Sequence, residues 1–327
     1  MSTQVEMLWP HRIAIALACV TFPLIWVGGL VTTYQAGMAV PDWPGTYGYN
    51  LFLYPWTTWL AGPFDLFIEH GHRLLGGTAG LLTIAFGIAV FRCEKRRWMR
   101  RMAIAAIVGV CLQGALGGIR VLLDARTLAM LHGCLGPAFF AFTFALVAVT
   151  GSSWQAVKSA CDPLAHKLQQ LALFTTCLML FQLVLGAQLR HTPIDAGLYF
   201  VVAMVCFHLL FAAALVLYSL LIAVAALQLQ SARRQFVPPA MGLLALVLSQ
   251  VSLGAATWVV KYGWPRWVGD YEFTAAYVVR REAFVSSLIV TAHVAIGSLI
   301  LAMALLLTLQ SFRFLHRFVP QLAEVGR

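Results

Sequence analysis

Charged residues are scarce in this chain. Asp, Glu, Lys and Arg together make up 10% of its 327 residues, where a soluble domain carries about 25%. That shortfall excludes an ordinary soluble enzyme. With 61% hydrophobic residues and a mean hydropathy of +0.83, it excludes a disordered chain as well. Cysteine is too thinly spread for a disulfide scaffold, at seven residues in all. Acidic residues are few, 12 against 22 basic ones, so the formal net charge is +10. A basic excess of that size raises the question of nucleic acid. The positions answer it, because the Lys and Arg residues cluster in short loops between apolar runs, where they set membrane topology.

What is present is a series of apolar runs of about 20 residues, the length of a membrane-spanning helix. They predict an all-α integral membrane protein with eight spans, at about 12–31, 69–91, 102–119, 128–150, 168–189, 200–228, 239–260 and 284–310. The runs are continuous rather than alternating, which argues against a transmembrane barrel. The first run contains Pro23 and Gly28-Gly29 and no small-residue cleavage site follows it, so it reads as a span and not as a cleaved signal. Fourteen Lys and Arg residues fall at one set of span ends and seven at the other, with Arg73 inside a span. Both termini are therefore expected on the cytoplasmic side of a bacterial inner or plasma membrane. The long loops 32–68 and 261–283 are then expected outside. Residues 32–68 contain no Lys or Arg and carry Trp43, Trp56 and Trp59, as a translocated loop with an interfacial belt would. The aromatic segment 47–59 reads as such a belt or as a cover over a site beneath it. No cysteine lies in an outward loop, so no loop disulfide is expected.

One phrase recurs. Gln113-Gly-Ala-Leu-Gly-Gly118, Gln182-Leu-Val-Leu-Gly-Ala187 and Gln250-Val-Ser-Leu-Gly-Ala255 share the pattern Q-x-x-L-G-[GA], and Leu24-Ile-Trp-Val-Gly-Gly29 is a degenerate copy. Paired small residues let helix backbones approach closely. The glutamines need a polar partner, either a neighbouring helix or a bound ligand. Each phrase precedes a helix with a histidine near its outward end: His72, His132, His208 and His293. The unit is a helical hairpin used four times. It predicts two pseudo-symmetric four-helix bundles, residues 1–155 and 156–327, with a site in the core of each.

An ionisable group inside a span marks a functional site by default. Two histidines per bundle is the number that ligates one haem iron on both faces. Zinc usually takes more protein ligands, and a third is in view only in the first bundle, from Glu69. His11, His166, His191 and His316 lie at span ends or in loops and read as solvated or interfacial. His70 lies about 200° around the helix from its neighbour-but-one His72 and is expected to face a different neighbour. Glu69 and His72, at i and i+3, share a face. A carboxylate beside one haem site and none beside the other separates a site for chemistry from a site for electron transfer. Glu69 reads as a proton acceptor or charge stabiliser, or as an orienting partner of His72. Arg73 reads as a propionate partner or an interface anchor, and Arg120, Arg126 and Arg190 stand at outward helix ends where propionates would emerge.

With these residues in place, the sequence resembles haem A synthase. The resemblance rests on Glu69-x-x-His72-Arg73, on Gly37-Met-Ala-Val-Pro-Asp-Trp-Pro44, on Gly28-Gly-Leu-Val31, on four histidines in alternate helices and on the eight-span length. It implies a membrane enzyme that oxidises the C8 methyl of haem O to a formyl, giving haem A for cytochrome oxidase. The amino-terminal bundle would hold the substrate haem, with Glu69, His72 and His132 as the catalytic set. The carboxy-terminal bundle would hold haem b between His208 and His293, with Arg73 and Arg190 as further cofactor-binding residues. Expected partners are haem O, the enzyme that makes it, an electron acceptor, membrane lipid and a second copy of the chain, and no nucleic acid. The chain also departs from the family. Leu209 and Val294 follow the carboxy-terminal histidines where Arg is frequent, so Arg190, Lys261 or Arg280 would have to compensate. The outward-loop cysteine pair of many relatives is missing, and Gln35-Ala36-Gly37-Met38 replaces Gly-x-Gly-Met. The competing readings are a di-haem electron carrier without methyl oxidation, and a transporter or structural protein.

Overall fold

Eight long helices take up the eight apolar runs. The computed structural model describes residues 8–152, 154, 160–193, 195–230, 232–263 and 284–316, without the side chains of 261, 262 and 316. The helices are α1 (Leu8–Thr33), α2 (Phe64–Cys93), α3 (Arg97–Leu122), α4 (Arg126–Thr150), α5 (Ala165–Arg190), α6 (Leu198–Gln228), α7 (Arg233–Tyr262) and α8 (Phe284–Phe314). All eight are long and apolar enough to cross a membrane, and the protein is a multi-pass membrane protein. A helix of 26 residues rises about 39 Å, more than the roughly 30 Å of hydrocarbon. This is why most helices run past the apolar stretches: their ends continue into the interface, where Arg97, Arg100 and Arg101 of α3 keep their guanidinium groups in the polar zone. The largest extension is at α7, which starts at Arg233 and carries Pro238 and Pro239. Their missing N–H groups leave only carbonyls of the first turn without a partner, and water at the interface can serve those.

Neighbours follow the hairpin plan. Helices α1, α2, α3 and α4 pack in sequence, and α4 returns to α1. Helices α5, α6, α7 and α8 do the same, with α8 returning to α5. The two closed rings meet where α8 packs on α1 and α4, and α4 on α5. Gly29 permits one of these crossings, since a methyl group there would lie 2.7 Å from Thr291 Cγ2 of α8. Helices α4 and α8 are accordingly the most enclosed, and α6 the least.

The two larger apolar cores occupy the same end of each ring, while a smaller cluster of Leu30, Val31, Ala36 and Ile68 lies at the opposite end. In the first ring the larger core includes Ala14, Phe86, Met99 and Leu146, and in the second Leu168, Ile222, Leu243 and Leu307. All of these lie in the half that carries the basic loops. The four histidines lie in the opposite half and are only half-buried, although they sit on spanning helices. Among the described residues two short β contacts depart from an all-helical chain: Ala160–Cys161 pairs in parallel with Leu315–His316, and Thr46 bridges Tyr49 in the outer loop. Gln169 fixes the same corner by donating to the carbonyls of Ser311 and Leu315 at 3.2 and 2.9 Å. His11 is not simply solvated, since its Nδ1 lies 3.0 Å from Thr150 Oγ1. The segment at 264–283, most of the second expected outward loop, lies outside the described residues, and so do both termini.

Candidate functional site

The recurrent phrase and the histidines meet across each hairpin. A methyl group added at Gly28, Gly117, Gly186 or Gly254 would come within 2.8, 3.1, 3.5 or 3.2 Å of Cε1 of His72, His132, His208 or His293 respectively. Each glycine therefore lets an imidazole lie against the facing helix. Four residues before it, the glutamine side chain grips the helix that bears the histidine. Gln113 Nε2 donates to the His132 carbonyl at 3.3 Å, Gln182 Nε2 to that of His208 at 2.9 Å and Gln250 Nε2 to that of His293 at 2.9 Å. The partner of the glutamine is thus the neighbouring helix.

Within each ring the two imidazoles face one another. The His72 and His132 ring centroids are 6.2 Å apart at 85°, and those of His208 and His293 are 6.4 Å apart at 59°. A metal–imidazole bond is about 2.0 Å and the centroid lies about 1.1 Å behind the nitrogen, so two imidazoles on opposite sides of one metal ion would have centroids about 6.2 Å apart. Both pairs fit that spacing. Nδ1 of His72, His208 and His293 has no hydrogen-bond partner among the described residues. No group of three or more His, Cys, Asp or Glu comes together among them either. Each imidazole pair thus stands without a third His, Cys, Asp or Glu beside it among the described residues, and Glu69 does not join the first pair.

Glu69 belongs to a different cluster, under the loop between α1 and α2. It is 1% exposed. Its Oε1 accepts from Arg73 Nε at 3.1 Å, while Oε2 has no hydrogen-bond partner among the described residues and lies 3.7 Å from Arg120 on α3. Arg73 then turns into the loop. Its Nη1 donates to the carbonyls of Asp42 and Gly45 at 2.5 and 2.8 Å, and its Nη2 to that of Val40 at 2.6 Å. The guanidinium expected to pair with a propionate is engaged by loop backbone. The loop motif is explained by the same contacts. The Asp42 carboxylate accepts from the amides of Tyr47 and Gly48, and the Trp43 indole lies on the Cα of Gly118, where a methyl group would come within 2.2 Å of it. Arg120 is seated just as tightly against Gly37. His70 faces away, as expected, onto Thr46, Tyr54 and Trp59. Phe52 reaches Gly77, so the aromatic segment rests on the outward end of α2. Arg190, the other expected propionate partner, donates to the Gly29 carbonyl at 2.7 Å and to Thr33 Oγ1 at 3.0 Å, tying α5 to α1.

Residues 11–206 match the COX15-CtaA family, described as cytochrome oxidase assembly proteins. The chain belongs to that family. The matched segment contains Glu69, His72 and His132 and ends two residues before His208. A relative named heme A synthase, from Symbiobacterium thermophilum, is 29% identical over 187 residues, or 53% of this chain. The chain spans about half of that relative, 56% of its length. The family read from the motifs is thus borne out, and the two motifs that carried the resemblance are one structural unit, bound together by Arg73. Of the cations expected to stand in for the family's arginine after His208 and His293, Arg280 and the side chain of Lys261 lie outside the described residues.

The loop has its own pH limit. Burial acts to raise the pKa of Asp42, but the Gly48 and Tyr47 amides, with Arg73 nearby, outweigh it and hold the carboxyl below its usual value. A depressed carboxyl contributes stability that is complete above its unfolded pKa of about 3.9 and is lost as pH falls through the lower folded value. Protection of the 40–50 backbone from hydrogen exchange, corrected for intrinsic rates, should hold from neutral pH to about 5 and fail only below about 4. Asp42→Asn should remove that acid step and lower protection at neutral pH. An acid step that survives in Asp42→Asn assigns it to another group.

Proposed function

We propose that the protein is a haem A synthase, an integral membrane oxidoreductase that oxidises the C8 methyl of haem O to a formyl and so supplies haem A to cytochrome oxidase. Family membership supports the reading, and one observation carries it. Two imidazole pairs have nearly the same spacing, and among the described residues only the first ring carries a buried carboxylate close to its pair, Glu69, one turn before His72 and held with Arg73 and Arg120 beneath the outer loop. His72 and His132 would hold the substrate haem. His208 and His293 would hold haem b, which supplies one-electron transfer when bound. The residues of each ring, about 1–155 and 156–327, would then act as a substrate unit and an electron-transfer unit. The carboxy-terminal assignment rests on the internal repeat, because Gln182-x-x-x-Gly186 and Gln250-x-x-x-Gly254 seat their histidines as Gln113-x-x-x-Gly117 seats His132.

Glu69 would serve the reacting methyl as a proton acceptor or as a fixed negative charge, since its Oε2 is not committed to a hydrogen bond. Arg120, next to that oxygen and partly exposed, is the better candidate for a propionate, while Arg73 holds the loop that keeps water from the site. The excess of Lys and Arg on the other side of the helices supports an outward histidine half and cytoplasmic termini. The similarity of the two pairs favours a second reading, a di-haem electron carrier.

Haem identity separates the two. Protein purified with a supply of haem O should contain haem b together with haem O or haem A, by pyridine haemochrome and chromatography. Two haems b per chain and neither of the others would establish the carrier. A protein free of haem under that supply would overturn both readings.

A further inference from the structure

Three of the four histidines are gripped by a facing glutamine, and His72 is not. At the matching place on α1, four residues before Gly28, stands Leu24. The helices that bear the histidines carry the reciprocal half of the arrangement. Four residues after His132 and His293 come Gly136 and Gly297, and a methyl group on either would lie 3.2 Å from Nε2 of Gln113 or Gln250. His208 has Ala212 in that position. His72 has Gly76, where a methyl group would meet no atom within 4 Å. The first hairpin therefore keeps the small residue that makes room for the amide but lacks the amide. The grip acts on the backbone of the helix that carries each histidine. His132 adds a ring contact, its Nδ1 lying 3.2 Å from the Gln113 carbonyl. The open space beside Gly76 lies one turn along the helix from His72.

We propose that Gln113, Gln182 and Gln250 are positioning residues that fix three iron-ligating histidines, and that His72, facing Leu24, is the one ligand free to leave the iron. This rests on the haem assignment made above. It gives the first ring a second asymmetry. On the His132 side the iron is held, and on the His72 side it can open, one helical turn from Glu69. In the second ring both histidines are gripped, and a haem held there would be closed to small molecules and suited to electron transfer. Each grip adds about one net hydrogen bond, enough for about tenfold in a ligand-exchange equilibrium.

Carbon monoxide binding to the reduced full-length protein, prepared with haem O supplied and with its haems identified, tests this. In the wild type, CO should bind the amino-terminal haem and leave haem b untouched. Leu24→Gln restores the fourth amide and should lower CO binding about tenfold, the size of one hydrogen bond. Gln250→Leu should open haem b to CO and shift its midpoint potential. His72→Ala should keep the amino-terminal haem in a high-spin form, and His132→Ala should lose it. This pair of variants decides the matter should Leu24→Gln fail to fold. Haem on both rings with equal CO binding, or loss of haem from His72→Ala with retention in His132→Ala, overturns the assignment of His72. Haem on neither ring overturns the proposed function instead.

Discussion

Glu69→Gln should leave haem bound in both rings and lower haem A formation by about 10²- to 10⁴-fold, the contribution of a positioned acid–base group. Glutamine preserves the volume and one acceptor oxygen for Arg73, and removes the charge and the capacity to take a proton. The residue is also structural, because a 1%-exposed carboxylate faces two guanidinium groups. Removing one partner from a buried ion pair costs about 3–5 kcal/mol. Loss of activity alone would not separate the two roles. The measurement is therefore haem A per chain, taken together with haem content and resistance of the 40–60 loop to protease. Lost turnover with haem and loop intact assigns Glu69 to the chemistry. Normal haem A output removes it from the reaction. Lost turnover with a cleaved loop reduces Glu69 to the anchor of Arg73.

The helices were legible because the bilayer demands about 20 apolar residues per span, and a run of that length can be read locally. The histidines were legible for the same reason, since an ionisable group in such a run stands out. The repeat could be seen but not interpreted. Gln113 meets its partner 19 residues on, Gln182 meets His208 after 26 and Gln250 meets His293 after 43. No local periodicity links residues at such varied separations, although each hairpin brings them together. The reciprocal small residues Gly136 and Gly297 were the available signal, spaced four from a histidine as Gly117 is from Gln113. The loop contacts of Arg73 were hidden for a different reason. Its partners are the main-chain carbonyls of Val40, Asp42 and Gly45, and a carbonyl has no sequence signature. A buried arginine beside a Pro-Asp-Trp-Pro loop admits a loop partner as readily as a propionate. The two-residue ladder at Ala160–Cys161 is too short for any pattern to announce.

Arg73→Met should therefore act first on the loop and only through it on haem. Methionine keeps an unbranched apolar stem and removes every donor. Three loop carbonyls lose their partner and Glu69 is left with Arg120, 3.7 Å away. A buried charge stripped of its main partner costs about 3–5 kcal/mol, and each buried carbonyl left unpaired adds about 1–3 kcal/mol unless water reaches it. The loop is the cheapest element to release, because separate side-chain contacts hold it: Arg73, the turn closed by Asp42, Trp43 on Gly118, Arg120 against Gly37, Phe52 on Gly77, and Thr46 with the rings around His70. Protease should cut within 40–60 in Arg73→Met under conditions that leave the wild type whole, while the eight helices stay intact. Arg73→Lys should fall between them, since one ammonium cannot reproduce a planar fork aimed at carbonyls and carboxylate together. The double variant Glu69→Gln/Arg73→Met should be less destabilised than the two single effects added, because the uncompensated charge is gone. If Arg73→Met instead keeps a protected loop and loses the amino-terminal haem, the guanidinium holds a propionate after all, and the loop is held by Asp42 and Trp43 without it.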